Sequence, residues 1–431
     1  MRKLKNINLT QLVADQIITE ETANAIWSYY TKKQVDAPNR LSMALTILGA
    51  TLVGLGILLI IAHNWDNLSR FTKTILAFLP LLLGQIACGY GIIRKKGKEW
   101  KEGAATFLFF AIGACISMVS QIYHLEGDLG SFLLTWMVLC LPMVYAIPSS
   151  IVSLLYIGGI TWYATNCGYG IDHEPYIFWG LLAAIIPHYL QLYHKQSNSN
   201  AFSYHSWAIA LSILITLGLW AKDIPNIMWI AYVGLMTLYF MLGNQPFFKA
   251  KKITNNPFLV IGLLGTILLF LIFTFRPYWE ELERETFSWS ALFSSQEFWV
   301  SLLLIIVNIV LLFQQKYLSK WTQLGLVPIA FILYILAFSI GSRTPITSII
   351  LSNIFVAVIG LFYIWKGNQI NNLGLLNLGL LTIAALIICR FFDLDMSFIT
   401  RGILFIMVGI SFFVANYQLI KRRKSIQNLN Q

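Results

Sequence analysis

Three short polar clusters interrupt an otherwise apolar chain, and each carries side chains able to bind an ion or a polar head group. They are His63, Asn64, Trp65 and Asp66; Gln121, Tyr123, His124, Glu126 and Asp128; and Arg390, Asp393 and Asp395 with Arg401. Carboxylates and imidazoles coordinate cations, and together with Arg they can hold a sugar or a lipid head group. If the clusters converge, they form a polar pocket. The plainer alternative is that Trp and Tyr mark a membrane interface while Arg and Asp cap or snorkel at helix ends. Asp172, His173 and Glu174 have the tight spacing of a metal ligand set, but they sit in a loop with Gly168 and Gly170. Neither a metal nor another cofactor is expected.

A second group of polar residues lies inside the apolar runs: Gln85, His188, Asn308, Asn353, Asn377 and Asn416, with Pro80, Pro142, Pro187 and Pro328 as kink positions. In lipid such residues either line a solute or proton path or hydrogen-bond a neighbouring helix. His188, next to Pro187, is the strongest candidate among them. Full charges are nearly absent from the middle of the runs, which weighs against a pump built on buried carboxylates. No Gly-Lys-Ser phosphate loop, H-E-x-x-H or G-x-S-x-G occurs, so nucleotide, zinc-protease and serine-hydrolase chemistry has no support. The five cysteines are scattered and include no C-x-x-C pair, which argues against a zinc site or a disulfide framework.

The elements that must position these residues are membrane helices. Of the 431 residues 57% are hydrophobic and 11% charged, with a mean hydropathy of +0.69, whereas soluble domains are about 25% charged. Stretches of about 17–25 apolar residues read as spans. They fall near 41–62, 72–93, 103–122, 131–147, 149–166, 176–193 and 203–221, and then near 226–243, 257–275, 297–314, 322–340, 345–365, 371–389 and 398–420. The fold class is therefore an all-α polytopic bundle of about 14 transmembrane helices. Pro148 marks the pair 131–147 and 149–166 as the place where a re-entrant element could replace two spans.

An even number of spans puts both termini on one side. That side collects about 22 of the 30 Lys and Arg residues, including Lys421, Arg422, Arg423 and Lys424, and the other side about eight. Because cytoplasmic loops are enriched in Lys and Arg, both termini are expected in the cytoplasm of a bacterial cytoplasmic membrane. The net charge of +11 then serves contact with anionic membrane lipids, and nucleic acid is not an expected partner.

Residues 1–40 read as a small cytoplasmic helical hairpin, 41–420 as the helix bundle and 421–431 as a basic cytoplasmic tail. In the hairpin Leu9, Leu12 and Val13, and then Ala23, Ile26, Trp27 and Tyr30, recur at helical spacing. Thr19 suits an N-cap, with Glu20 and Glu21 in the first turn. The hairpin is a candidate site for homo-oligomer or protein contacts, or it simply rests on the membrane surface.

The run from Gly49 to Trp65-Asp66-Asn67, the turn Arg94-Lys95-Lys96, the stretch Gln121-Ile122-Tyr123-His124-Leu125 and the opening Ile17-Ile18-Thr19-Glu20-Glu21 carry a resemblance. Over about residues 8–150 the chain resembles domain-of-unknown-function family 2157, predicted bacterial membrane proteins. The resemblance implies a membrane location and no particular chemistry. With both termini in the cytoplasm all three polar clusters fall on the outer face. Many spans, little soluble mass and the outer polar mouth these clusters would form point to a transporter or flippase-like protein for a small or amphipathic solute. The alternative is a non-transporting envelope scaffold or sensor with an outer-face polar pocket. A membrane-embedded transferase using Asp66 as base ranks below both, so an enzyme is not expected.

Overall fold

The computed structural model describes residues 3–4, 7–35, 67–147, 149–168, 176–284, 289–341 and 343–393, with scattered positions from 399 to 413. It divides into two compact units, Met1–Phe78 and Leu79–Gln431. In the first unit β1 (Lys3–Leu4) pairs antiparallel with β2 (Ile7–Asn8), and helices α1 (Leu9–Ala14) and α2 (Glu20–Val35) follow. Thr19 starts α2 as an N-cap should, its Oγ1 accepting the Thr22 amide at 3.3 Å. Leu9 and Ala23 are buried, and Leu12, Val13, Ile26 and Trp27 are half-buried, so the apolar stripe faces inward. The expected first span, 41–62, lies outside the described residues.

The helices that follow are α3 (Arg70–Ile93), α4 (Lys98–Tyr123), α5 (Leu129–Ala146), α6 (Ser150–Gly168), α7 (Tyr176–Gln196, interrupted at Ala184 and Ile185), α8 (Asn200–Trp220) and α9 (Pro225–Gly243). Beyond them, apart from the short helices Pro246–Lys249 and Trp289–Ser294, come α10 (Pro257–Ile272), α11 (Arg276–Arg284), α12 (Gln296–Gln314), α13 (Tyr317–Leu324), α14 (Val327–Gly341), α15 (Pro345–Gln369) and α16 (Leu373–Asp393). Among the described residues nine helices are long and apolar enough to cross a membrane, and up to ten if a bent pair is one span. Phe78, Leu82, Leu83 and Ile86 on α3, Leu303 and Ile306 on α12, and Ile350, Ile354 and Leu361 on α15 stand exposed as lipid-facing side chains would.

Hydrogen bonds record the direction in which the helices run. Ser301, Asn308 and Gln315, one heptad apart on or just past α12, donate to the carbonyls of Ile227, Gly234 and Met241, also one heptad apart along α9, at 3.3, 2.9 and 2.9 Å. The constant separation of 74 residues means that α9 and α12 lie parallel and in register. The chain between them must therefore cross back once, and α10 does so. Gly262, whose Cβ would strike the Phe240 backbone, lets α10 pack antiparallel against α9. In the same way Ser153–His205 and Thr161–Ser212, both at 2.6 Å, set α6 parallel to α8. Gly84 and Gly91 meet Leu108 and Trp100 of the antiparallel α4.

One alternative is answered and two expectations change. The pair around Pro148 is two helices of 18 and 19 residues, about 27 Å each at about 1.5 Å per residue. They pack antiparallel along their length, Gly130 on Cys167 and Gly159 on Met137, so they are not a short re-entrant hairpin. α6 nevertheless falls outside the nine apolar helices, because it carries polar residues such as Ser153, Thr161 and Asn166, of which Ser153 and Thr161 bond α8. Second, the stretch 257–275 breaks at its end: α10 and α11 meet at 77°. Arg276, Glu280 and Glu281 suit α11 to an interface, while Trp279 is fully buried and donates from Nε1 to Phe273 O at 2.7 Å. Third, 322–340 is divided by Gly325, whose φ of 72° ends α13, and the apolar part is the shorter α14.

Candidate anion-binding pocket

α4 begins directly after Gly97 and carries Lys98, Lys101 and Glu102 in its first turns, spaced to share one face. Glu102 turns toward the start of α6, where its oxygens accept from the Ser149 hydroxyl and from the amides of Ser150 and Ile151, the latter two at 2.9 and 3.1 Å. The carboxylate thus caps a helix N-terminus and has little capacity left for the neighbouring lysines. On α7, residues His188, Gln191, Leu192 and Lys195 recur at helical spacing and face the same space. Tyr145 closes one wall by donating its hydroxyl to Ala184 O. The result is a cavity of about 340 Å³ lined by Lys98, Lys101, Lys195, His188, Gln191 and the start of α6.

Among the described residues three lysines and no acidic residue line this cavity. Glu102 offsets the partial charges of the α4 and α6 N-termini, so it is the lysines that make the pocket favour an anion. The Nε2 of His188 is buried without a hydrogen-bond partner. Its ring centroid lies 5.5 Å from that of His205, which bonds Ser153 Oγ at 2.6 Å and Ala201 O at 2.7 Å. Because Ala201 O can only accept, the His205 Nδ1 carries a proton, and in the neutral ring Nε2 accepts from Ser153.

A second basic cavity, about 500 Å³, is lined by Lys249, Lys320, Asn244, Gln245, Gln314, Gln315 and Gln323 where α9 and α12 end. Following the alternation of the helices, both cavities open at the same end of the second unit, and Lys366 joins them there by donating to Gln323 O. Lys251, also at this end, is structural. Its ammonium donates to Ser197 O and lies 4.5 Å from the ring centres of both Phe202 and Phe247, a setting in which burial lowers its proton affinity. At the opposite end the fully buried Glu297 accepts the amides of Lys222, Asp223 and Ile224 on Oε1 at 2.5, 2.6 and 3.0 Å.

The polar clusters singled out by residue type are placed as follows. Asp128 caps α5, accepting from Gly130 N at 3.1 Å, Ser131 N at 3.2 Å and Ser131 Oγ at 2.5 Å. The Ser131 hydroxyl bond and then the amides hold its carboxyl below the usual carboxylate range. His124 ends α4 in the left-handed region at φ 50°, and Gln121, Tyr123 and Glu126 are exposed. Arg390 donates to Thr274 Oγ1 at 2.9 Å and lies 5.3 Å over the Phe275 ring, at the bend between α10 and α11. His63, Asn64, Trp65, Asp66, Asp395, Arg401, the 172–174 group and the Asp393 side chain lie outside the described residues, so the meeting of the three clusters does too.

Of the polar residues inside the apolar runs, Asn308 links α12 to α9, and Asn353 bonds Ile349 O of its own helix at 2.7 Å. Gln85 and Asn377 are exposed, and His188 lines the cavity. Lys98, Lys101, Lys195, Glu102, His205 and Glu297 were not singled out from sequence. The i, i+3 spacing of Lys98 and Lys101 and the i, i+3, i+7 spacing of His188, Gln191 and Lys195 were readable signals of two basic faces, though nothing local shows that the faces meet.

Residues 10–153 match the model of a family described as predicted membrane protein (DUF2157). No curated protein and no solved structure matches the chain. The DUF2157 match contains the walls supplied by Lys98, Lys101, Glu102, Tyr145, Ser149 and Ser150, and it stops before α7, which brings His188 and Lys195. The apolar helices agree with the family description: this is a membrane protein with several long apolar helices.

Proposed function

We propose that this membrane protein takes up an anionic ligand, a small anion or a phosphate-bearing amphiphile, in the pocket between α4, α6 and α7, as the loading site of a transporter or flippase-like path. The observation that carries the reading is the convergence of Lys98, Lys101 and Lys195 on one cavity that, among the described residues, no acidic side chain lines. Its setting at a helix-end level, among lysines that would lie at the cytoplasmic surface of a bacterial membrane, suits a head group whose tails remain in lipid. A Lys near an anionic head group contributes about 1 kcal/mol. Replacing all three with Gln should therefore weaken binding on the order of a hundredfold. The test is binding and translocation of short-chain phosphatidylglycerol and of sulfate by the full chain in phosphatidylcholine vesicles. Unchanged binding by the triple variant would overturn the reading.

A second reading is supported by the packing next to the cavity. Val144 on its wall belongs to the same buried cluster as Val152, Tyr156, Ile157, Ile160 and Ile185. A closed interior suits a sensor or scaffold that holds the ligand without moving it. Binding without translocation would favour this reading over transport.

A further inference from the structure

The lysines account for the charge of the pocket, but they leave His188 unexplained. It lines the cavity with a buried, unpartnered Nε2. Leaving a buried polar atom unbonded is costly, and such an atom is often one that a ligand satisfies. We propose that ligand binding in this pocket is coupled to uptake of one proton at His188 Nε2, which then donates a hydrogen bond to the bound anion. The inference rests on the anion-binding reading above. The proton comes from water and adds to the nitrogen lone pair, and no bond in the ligand changes.

The groups facing the pocket from each helix support this assignment. α4 contributes Lys98 and Lys101, and Glu102 is engaged by the start of α6, which contributes the non-titrating Ser149 and Ser150. α5 contributes Tyr145, whose hydroxyl donates to Ala184 O. From α8 comes His205, with both nitrogens bonded. On α7 itself Lys195 lines the pocket, the Tyr189 hydroxyl pairs with Ser206 at 2.9 Å, and the exposed His194 turns its ring to Tyr193. The empty pocket presents three ammonium groups that oppose a further positive charge on His188. An anion reverses that field and accepts from the protonated ring. Binding should then tighten as pH falls.

The test uses the full chain in phosphatidylcholine nanodiscs, with sulfate and short-chain phosphatidylglycerol as probes because both stay ionised from about pH 6 to 8 while His titrates there. Affinity for at least one probe should rise with falling pH, by up to about tenfold per pH unit, the limit for one linked proton. Which probe binds tells a free anion from a head group. His188→Gln, which keeps an amide donor at every pH, should bind with the slope removed, whereas His205→Gln and His194→Gln should keep the slope. Wild-type binding that is flat with pH, or a slope that survives His188→Gln, would overturn the coupling. Failure of the wild type to bind either probe at any pH would instead overturn the anion reading itself. If His188→Gln does not fold, the NMR signal of isotopically labelled His188 decides. Protonation on adding sulfate near neutral pH supports the coupling, and an unchanged ring refutes it.

Discussion

Glu102 and Glu297 perform one task at opposite ends of the second unit, and their surroundings give the task different consequences. Each stands in the first turns of its helix and accepts backbone amides from the start of a parallel helix: Glu102 of α4 from α6, and Glu297 of α12 from the turn that enters α9. A carboxylate placed between two parallel helix N-termini offsets both partial positive charges. Glu297 is fully buried, whereas Glu102 is half-buried beside a cavity with three lysines. The same clamp thus closes one end of the bundle and leaves a basic site at the other. A helix-end carboxylate identifies neither end as functional; the lysines around it do.

The largest effect should come from removing the closed clamp. Glu297→Ala empties a fully buried site and leaves three part-buried amides without that acceptor, and should cost about 3 kcal/mol of stability, while Glu102→Ala, at a half-buried site, should cost about 1 kcal/mol. Equilibrium unfolding of both variants in detergent checks the order, and equal costs would break the comparison. Next, Gly262→Leu forces α9 and α10 apart and should cost about 2 kcal/mol in the same measurement. Asn308→Ala removes one bond of the heptad seam between α9 and α12, for about 1 kcal/mol.

At the open end the pattern should invert. Lys98→Gln with Lys101→Gln should leave stability within about 0.5 kcal/mol yet weaken binding of the anion probes. A loss of stability instead would show that the lysines hold the bundle rather than a ligand. The smallest effect concerns Asp128. Its carboxyl is held below the ordinary value of 3.8, so the cap stabilises the fold above that pH and is lost as pH falls through the lower folded value. Asp128→Ala should therefore narrow the difference in melting temperature between neutral and strongly acidic pH while leaving anion binding unchanged.

Much of the architecture was legible because lipid imposes simple demands. Most of the expected stretches between 72 and 389 fall on helices, since apolar runs of this length must satisfy their backbone internally. Thr19 was readable as a cap, because that role depends on local chemistry. The bend after Ile272 and the break at Gly325 escaped the reading because a hydropathy window averages across them. His188 stood out by residue type. Its partners did not, since Lys98 and Lys101 are remote in sequence and equally typical of a cytoplasmic loop.

The sequence by itself determined that this chain is a membrane protein with several long apolar helices. Composition and run length are sufficient for that, because the bilayer acts on every residue alike. Only the tertiary structure decided which helices lie side by side. In lipid most helix faces are apolar, so periodicity cannot say which face meets protein. The parallel seam of Ser301, Asn308 and Gln315, the amides held by Glu102 and Glu297, and the meeting of Lys98, Lys101, His188 and Lys195 all join residues far apart in the chain. Contacts of that kind exist only once the helices have packed.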